Sequence, residues 1–187
     1  SLPLPTNAND MNKLLIAVAI VALAGFGCAK PPVGANVAIP AGGSAYDSAD
    51  FGFSLVVPKD AEMRVREESN RATKYLGMDA DFFASLRDLV RDAKPTNLAY
   101  FYAVPKLDAN TFVSALEASN ADGAVKAKSV EDVTIGGIAM KKVTSTTEMG
   151  EDKVHYLFDA KGKTIIVSQF IGEAEEFDPI FATITTN

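Results

Sequence analysis

The chain has 187 residues, with 18 lysines and arginines against 24 aspartates and glutamates and a formal net charge of −6. An acidic chain with scattered lysines lacks the clustered cations that bind phosphate backbones, which argues against a nucleic-acid partner and against adhesion to anionic lipid by charge. Cys28 is the only cysteine, which excludes an intramolecular disulfide and a multi-cysteine metal site.

An apolar segment, Leu14–Phe26, follows Lys13 and is followed by a glycine and Cys28. A positive start, a short apolar run and small residues at its end describe an export signal. A cysteine at the cleavage point predicts a bacterial lipoprotein, in which the Cys28 thiol is lipidated and becomes the first mature residue. Residues 1–10 are expected to be upstream sequence, with the signal beginning at Met11. Cleavage before the cysteine leaves 160 residues, which is enough for one domain.

Three interpretations of this segment stay open: a lipoprotein signal, an ordinary secretory signal that leaves a free thiol, and an uncleaved membrane anchor. The anchor is disfavoured by length, because Leu14–Ala29 has 16 residues and a spanning helix needs about 20. The usual lipoprotein pattern is Leu, Ala or Ser, Gly or Ala, then Cys. Gly27 and Cys28 fit this pattern, whereas Gly25 and Phe26 depart from it. This departure bears on how efficiently the signal is cleaved and does not affect the prediction of export.

The segment 28–50 follows the signal, and from Ala29 on it holds three prolines and three glycines without apolar periodicity. We predict a flexible tether there, carrying a single globular domain over residues 51–187. Alternation in Phe51–Val57 predicts a strand that stops at Pro58. Apolar and charged residues alternate over Glu62–Glu68, which predicts a second, more exposed strand.

Two helices and one buried strand are predicted next. Asp79–Asp92 is expected to be a helix with Asp79 as its N-cap. Its apolar residues share one helical stripe, namely Phe82, Phe83, Leu86, Leu89 and Val90. Leu98–Val104 is apolar on both faces, which predicts a central strand covered from two sides. Asp108 is then expected to cap a second predicted helix, Ala109–Ser119.

The rest of the chain predicts an antiparallel meander and a closing helix. Strands are expected over Lys126–Ile135, Ile138–Thr147, Val154–Phe158 and Thr164–Ile171. Gly136-Gly137 marks a tight turn between the first two of them. The last helix is predicted over Glu173–Ile184, with a start at Asp178 as the alternative because of Pro179. Helices must cover a sheet that is apolar on both faces, so the predicted fold class is α+β, an α/β/α sandwich around a mainly antiparallel sheet.

Three stretches of the sequence support a family resemblance: FGFSLVVPKDAE, VEDVTIGGIAMKKVTST and VHYLFDAKGKTIIVSQF. Together with the short final helix, they resemble the Mog1/PsbP-like fold over about Tyr46–Ile184, and bacterial lipoproteins share this plan. The resemblance implies a non-enzymatic role, since members are mostly photosystem accessory proteins, a partner of a nuclear-transport GTPase, and exported lipoproteins. It identifies no binding residue in this chain.

Three residues stand out as a possible ligand or partner surface: Tyr100, Tyr102 and His155. The two tyrosines flank Phe101 in the most buried predicted strand, so core packing is the favoured interpretation and a pocket lining the alternative. His155, the only histidine, is expected on the same side of its strand as Leu157. We interpret it as structural or surface-exposed rather than as a general base or ligand.

Other candidate sites are interpreted structurally. The acidic cluster at the last helix comprises Glu173, Glu175, Glu176 and Asp178, and it lacks the spacing of a calcium loop. Gly136-Gly137 lacks the residues of a phosphate loop. Lys141-Lys142 are expected to guard an exposed strand edge. With one histidine and one cysteine, no metal site and no cofactor are predicted.

The sequence therefore favours an exported, lipid-anchored, non-catalytic envelope protein facing the periplasm or the exterior. It would be held to the membrane by an N-terminal lipid such as palmitate on Cys28, and would act as an assembly or accessory factor for another envelope protein. The alternative is a binding module for a small apolar ligand held between helix and sheet. A hydrolase that uses only carboxylates is a third, less favoured hypothesis.

Overall fold

Alternation of apolar and polar residues dominates the folded part of the chain, and β-strands are the result. The computed structural model describes residues 42–89, 96–119, 125–147, 149–170 and 174–186. Within these ranges the strands are β1 Ser44–Ser48, β2 Phe53–Val57, β3 Ala61–Val65, β4 Ala72–Tyr75, β5 Met78–Asp88, β6 Thr96–Pro105, β7 Ala127–Ile135, β8 Ile138–Thr146, β9 Asp152–Ala160, β10 Lys163–Phe170 and β11 Thr185–Thr186. The helices are α1 Ala109–Ala118 and α2 Ala174–Phe181, and a short 3₁₀ turn covers Glu68–Asn70.

The large sheet is antiparallel throughout, in the order β3-β5-β6-β10-β9-β8-β7. β4 pairs with the other half of β5, so β3 and β4 together form one edge of the sheet. A small sheet, in the order β1-β2-β11, places β2 between the first and last strands of the described chain. The predicted central strand is confirmed, because β6 lies between β5 and β10.

Two cores lie on opposite faces of the large sheet. The large core joins the small sheet and α2 to one face, and its fully buried large side chains are Phe53, Phe83, Phe101, Phe177, Phe181, Leu86, Leu98, Ile165 and Ile184. The small core joins α1 to the other face through Phe112, Leu116 and Ile166. The predicted α+β fold, a mainly antiparallel sheet flanked by helices, is confirmed.

The helix predicted over Asp79–Asp92 is wrong, because β5 occupies Met78–Asp88. A β-bulge displaces Phe83, since Phe82 pairs with Tyr102 while the next paired residue is Ala84. The bulge breaks the period of two and leaves apolar residues at spacings that imitate a helical stripe. Asp79 is not an N-cap, and its carboxylate instead forms an ion pair with Lys74.

Three other expectations need correction. The tether was predicted too far along the chain, because Ser44–Ser48 forms β1; residues 29–41 lie outside the described residues. Lys141-Lys142 do not guard an edge, since β8 lies between β7 and β9 and Lys141 forms an ion pair with Asp132. The alternative start at Asp178 is also wrong, because α2 begins at Ala174 and Pro179 lies inside it. Pro179 removes one backbone donor and its helical hydrogen bond. The burial of Phe177, Ile180 and Phe181 offsets the free-energy cost of that loss.

The predicted turns and cap are confirmed. Gly136 and Gly137 connect β7 to β8 with φ of 58° and 80°, as a two-residue hairpin turn requires. The carboxylate of Asp108 accepts hydrogen bonds from the backbone N–H groups of Asn110 and Thr111 at 2.9 and 3.0 Å, which makes it the N-cap of α1.

Candidate functional site

A buried cluster of polar side chains interrupts the small core. His155 on β9 lies directly opposite Ser168 on β10, and Ser145 comes from the neighbouring strand β8. Ser168 Oγ lies 2.8 Å from His155 Nδ1, and Ser145 Oγ lies 3.3 Å from Nε2. Tyr75 reaches the cluster from the end of β4, with its hydroxyl 2.6 Å from Ser168 Oγ and 3.3 Å from Nδ1.

The imidazole of His155 is neutral. Its side chain is only 1% exposed, and burial lowers the pKa of His155 to about 3, with the positive charge of Lys153 acting in the same direction. A neutral ring has one donor and one acceptor nitrogen, and a hydroxyl can serve either. The two serines therefore satisfy both ring nitrogens in either tautomer. Burial also raises the pKa of Tyr75 above its ordinary range, so its hydroxyl stays protonated.

A cavity of about 380 Å³ opens beside this cluster, where the end of α1 approaches the sheet. Leu116, Val125 and Met149 give it apolar walls. Its polar lining includes Tyr75, Ser145, Lys153 and His155, and burial lowers the pKa of Lys153. We call this space the His155 cavity. It combines a mostly apolar lining with a few convergent polar groups, which is the usual composition of a small-molecule site.

The cluster is poorly suited to acyl transfer, although Ser168 and His155 form a hydroxyl–imidazole pair. Of the described residues bonded to His155, all three are hydroxyl-bearing and none is a carboxylate. A base of such low pKa accepts a proton weakly near neutral pH. Ser168 is itself only 1% exposed. The arrangement can bind and orient a polar group, and it ties three adjacent strands and β4 together.

The structure divides the predicted surface of Tyr100, Tyr102 and His155. His155 lines the cavity. Its side chain lies on the same face of β9 as Leu157, which agrees with the predicted orientation. Tyr102 is not part of the cavity lining. Its ring stacks on the ring of Tyr75, which does line the cavity, at a centroid distance of 4.1 Å. Tyr100 lies farther along the sheet, at the other end of a row of rings that continues through Phe82.

Tyr75, Ser145 and Ser168 belong to the site but were not predicted from the sequence. The two serines had a signal: each lies two positions after an apolar residue of the same strand face, Val143 or Ile166, that is buried in the small core. A polar residue at such a position needs a buried partner. Tyr75 had no comparable signal, because the short edge strand β4 was not predicted.

The remaining candidates are only partly described. Cys28, Glu173 and the side chain of Glu175 lie outside the described residues. Asp178 is on α2, where burial raises the pKa of its carboxyl. Among the described residues, no group of three or more metal-ligating side chains could hold an ion. No helix in the described ranges combines the length and hydropathy needed to cross a membrane.

Comparison with known proteins gives fold-level similarities. Cyanobacterial PsbP from Synechocystis is 11% identical with a TM-score of 0.49, over 86% of this chain and 98% of that chain. LpqN from Mycobacterium tuberculosis, which is involved in cell envelope biogenesis, is 14% identical with a TM-score of 0.40, over 78% and 91%. No protein-family model and no curated protein matches the chain. Similarities at this level assign no activity, ligand or location.

Proposed function

We propose that this chain is an exported, non-catalytic envelope protein, held to a membrane through lipid on Cys28 and acting as an assembly or accessory factor. The observation that supports a non-catalytic role is the state of His155. Its ring is buried, neutral and bonded to three hydroxyls, whereas a general base needs a pKa near the working pH. The cluster therefore works as an internal brace and as one wall of a binding cavity.

Export and anchoring rest on the leader, with its apolar Leu14–Phe26 segment ending at Cys28. Mass spectrometry of the membrane fraction is expected to find an acylated Cys28 at the mature N-terminus. Cys28→Ala should move the domain to the soluble envelope fraction. Phe26→Ala, which restores a small residue to the cleavage pattern, should leave anchoring intact and increase the processed fraction. An intact leader on protein from the cytosol would contradict the proposal.

The accessory role is supported by the resemblance to Mog1/PsbP-like proteins and by the absence of an acid in the described surroundings of His155. Chemical cross-linking of the anchored protein in cells, followed by its capture, should recover one envelope protein repeatedly. The Cys28→Ala variant serves as the control, because the released domain should lose most of that cross-link. Capture of nothing above background would count against an assembly role.

A second candidate function, binding of a small apolar or amphipathic ligand, is favoured by the His155 cavity. Its volume of about 380 Å³ suits a compact ligand, and the hydroxyls of Tyr75 and Ser145 could orient a polar head group. We expect 1-decanol to shift the backbone amide resonances of Leu116 and Ser145 in a nuclear magnetic resonance titration.

Matched variants on α1 and at its end sharpen this test. Ser119 is exposed and lines the cavity, so Ser119→Phe should block the entrance and abolish the decanol shifts. Ser114 is also exposed, lies on α1 and is not part of the lining, so Ser114→Phe should preserve them. Equal loss in both variants, or no shifts in the unmodified chain, would reject ligand binding without affecting the lipid-anchor proposal.

A further inference from the structure

Arginine is distributed unevenly in this chain. The sequence has five arginines, and all of them fall between Arg64 and Arg91, while every other cationic side chain is lysine. Arg64, Arg66 and Arg87 line one cavity of about 490 Å³. Three guanidinium groups in one cavity are unexpected in a chain with a net charge of −6.

This cavity lies on the face of the large sheet that also carries α1, and it shares no lining residue with the His155 cavity. Register places its residues side by side, since Ser85 on β5 is opposite both Arg64 on β3 and Tyr100 on β6. Phe82 forms an aromatic wall, with the guanidinium of Arg66 4.2 Å from its ring centroid. We call this space the arginine cavity.

Arg87 has an unsatisfied donor. Its Nε is buried and has no hydrogen-bond partner in the described part of the chain. Its ion pair with Glu62 is long, at 3.6 Å between Nη1 and Oε1. A guanidinium carries five N–H donors in a fixed fork, and a buried donor without a partner is costly. Arg87 lines the cavity and its side chain as a whole is 22% exposed, so an oxyanion in the cavity would supply an acceptor to this incompletely paired guanidinium.

Tyr100 offers a second donor. Asn97 Nδ2 donates to the Tyr100 hydroxyl oxygen at 3.1 Å, so the phenolic O–H is left to donate to another group. Asn97 lies opposite Arg87 in the β5–β6 register. The amide therefore orients the phenol beside the guanidinium, and two different donors can converge on one acceptor.

The charge balance indicates which oxyanion fits. Glu67 also lines the cavity and Glu62 is paired with Arg87, so the three guanidinium groups face two carboxylates. This leaves about one positive charge for a ligand, which matches a carboxylate better than a phosphate dianion. The Arg fork matches a planar carboxylate in two-point geometry, and the rings of Phe82 and Tyr100 provide apolar walls.

We propose that the arginine cavity binds an organic carboxylate with a flat apolar body, with Arg87 and Tyr100 as the donors to its carboxylate. The site is separate from the His155 cavity and does not depend on the function proposed above. It assigns a role to Tyr100 that core packing does not explain.

The proposal is tested by nuclear magnetic resonance titration of the purified full chain with benzoate, with benzyl alcohol as the neutral match and inorganic phosphate as the competing anion. Benzoate should shift the backbone amides of Arg64, Arg87 and Tyr100 and should bind more tightly than either alternative. Equal binding of benzyl alcohol, or tighter binding of phosphate, would overturn the proposal.

Variants locate the site. Arg87→Lys keeps the charge but loses the fork, and should weaken benzoate binding by about tenfold. Tyr100→Phe should weaken it by about threefold or more through loss of the O–H donor, and it tests the site even if the Arg87 variant does not fold. Lys74→Gln removes one charge outside the cavity and should change binding by less than about twofold. A Lys74 effect as large as that of Arg87, or unchanged binding in Tyr100→Phe, would contradict the assignment.

Discussion

The two faces of the large sheet differ in what they bury. The face toward α2 and the small sheet is filled with apolar side chains, including stacked or tilted contacts among Phe51, Phe53, Phe83 and Phe101. The face toward α1 holds a smaller apolar cluster, a buried histidine network, the His155 cavity and the arginine cavity. The large apolar core and the two proposed binding sites therefore lie on opposite sides of the same strands.

This division follows from the period-two geometry of strands. Adjacent residues such as Tyr156 and Leu157 point to opposite faces, so one strand can serve the large core and the small core at once. Because the large core already buries most of the aromatic side chains, the other face tolerates polar groups such as His155 and incompletely filled space. Substitutions on the two faces of the sheet are therefore expected to differ in their effects on stability and on ligand binding.

The largest loss of stability is expected from Phe53→Ala. Phe53 is fully buried and contacts rings from four other strands. Truncation should lower the free energy of unfolding by about 4 kcal/mol, as measured by urea denaturation. Both cavities should keep their ligand affinities in the folded fraction, and a loss below about 1 kcal/mol would contradict the role of the large core.

The β7–β8 turn offers a matched pair of glycines. A Cβ on Gly136 would lie 1.9 Å from the backbone oxygen of Ile184, so Gly136→Ala should cost about 3 kcal/mol or more. Gly137 also has positive φ but open space around it, so Gly137→Ala should cost only about 1 kcal/mol. Urea denaturation of the two variants compares steric clash with backbone strain, and equal losses would show that the close approach to Ile184 is not maintained.

The histidine network should give stability a specific pH dependence. The pKa of His155 is lowered to about 3 in the folded chain, against about 6.5 when unfolded. Between these values the unfolded chain binds a proton that the folded chain does not. The contribution is therefore complete above about pH 6.5 and is lost as pH falls toward 3, by about 1.4 kcal/mol per pH unit.

His155→Gln is the matched variant, because it keeps a donor and an acceptor but cannot titrate. The difference in free energy of unfolding between the unmodified chain and this variant should change with pH only below about 6.5. A pH-independent difference would mean that His155 is accessible to protons in the folded state.

The smallest effect is expected at the edge of the sheet. Lys74 and Asp79 form an exposed ion pair at 2.6 Å, with side-chain exposures of 66% and 85%. Lys74→Gln should change the free energy of unfolding by less than about 0.5 kcal/mol, as measured by thermal and urea unfolding. A change above about 1 kcal/mol would mean that this exposed edge also contributes substantially to the stability of the domain.

Local signals were sufficient for most of the fold. Strand alternation, the Asp108 cap and the Gly136-Gly137 turn each act within a few residues, and the structure contains the elements that they predict, although the strand predicted over Glu62–Glu68 ends at Val65. The error at Met78–Asp88 has a tertiary origin, because only the pairing with β6 defines the bulge at Phe83. A one-dimensional apolar pattern cannot distinguish a bulged strand from a short helix.

The candidate site was less predictable for the same reason. His155 and the direction of its side chain could be anticipated from alternation, but its partners Tyr75 and Ser168 are 80 and 13 residues away in sequence. The arginine cavity likewise depends on the register of β3, β5 and β6. The sequence contains the clustering of arginines, whereas only pairing across strands brings Arg87 beside Tyr100.

The most direct test of a non-catalytic, structural histidine is nuclear magnetic resonance of the His155 ring nitrogens from about pH 8 to about pH 4. The chain has a single histidine, so its ring signals need no further assignment. The structure predicts a neutral ring whose nitrogen shifts stay constant across this range. A titration midpoint between about pH 6 and 7 would contradict that result and would make His155 available for acid–base chemistry.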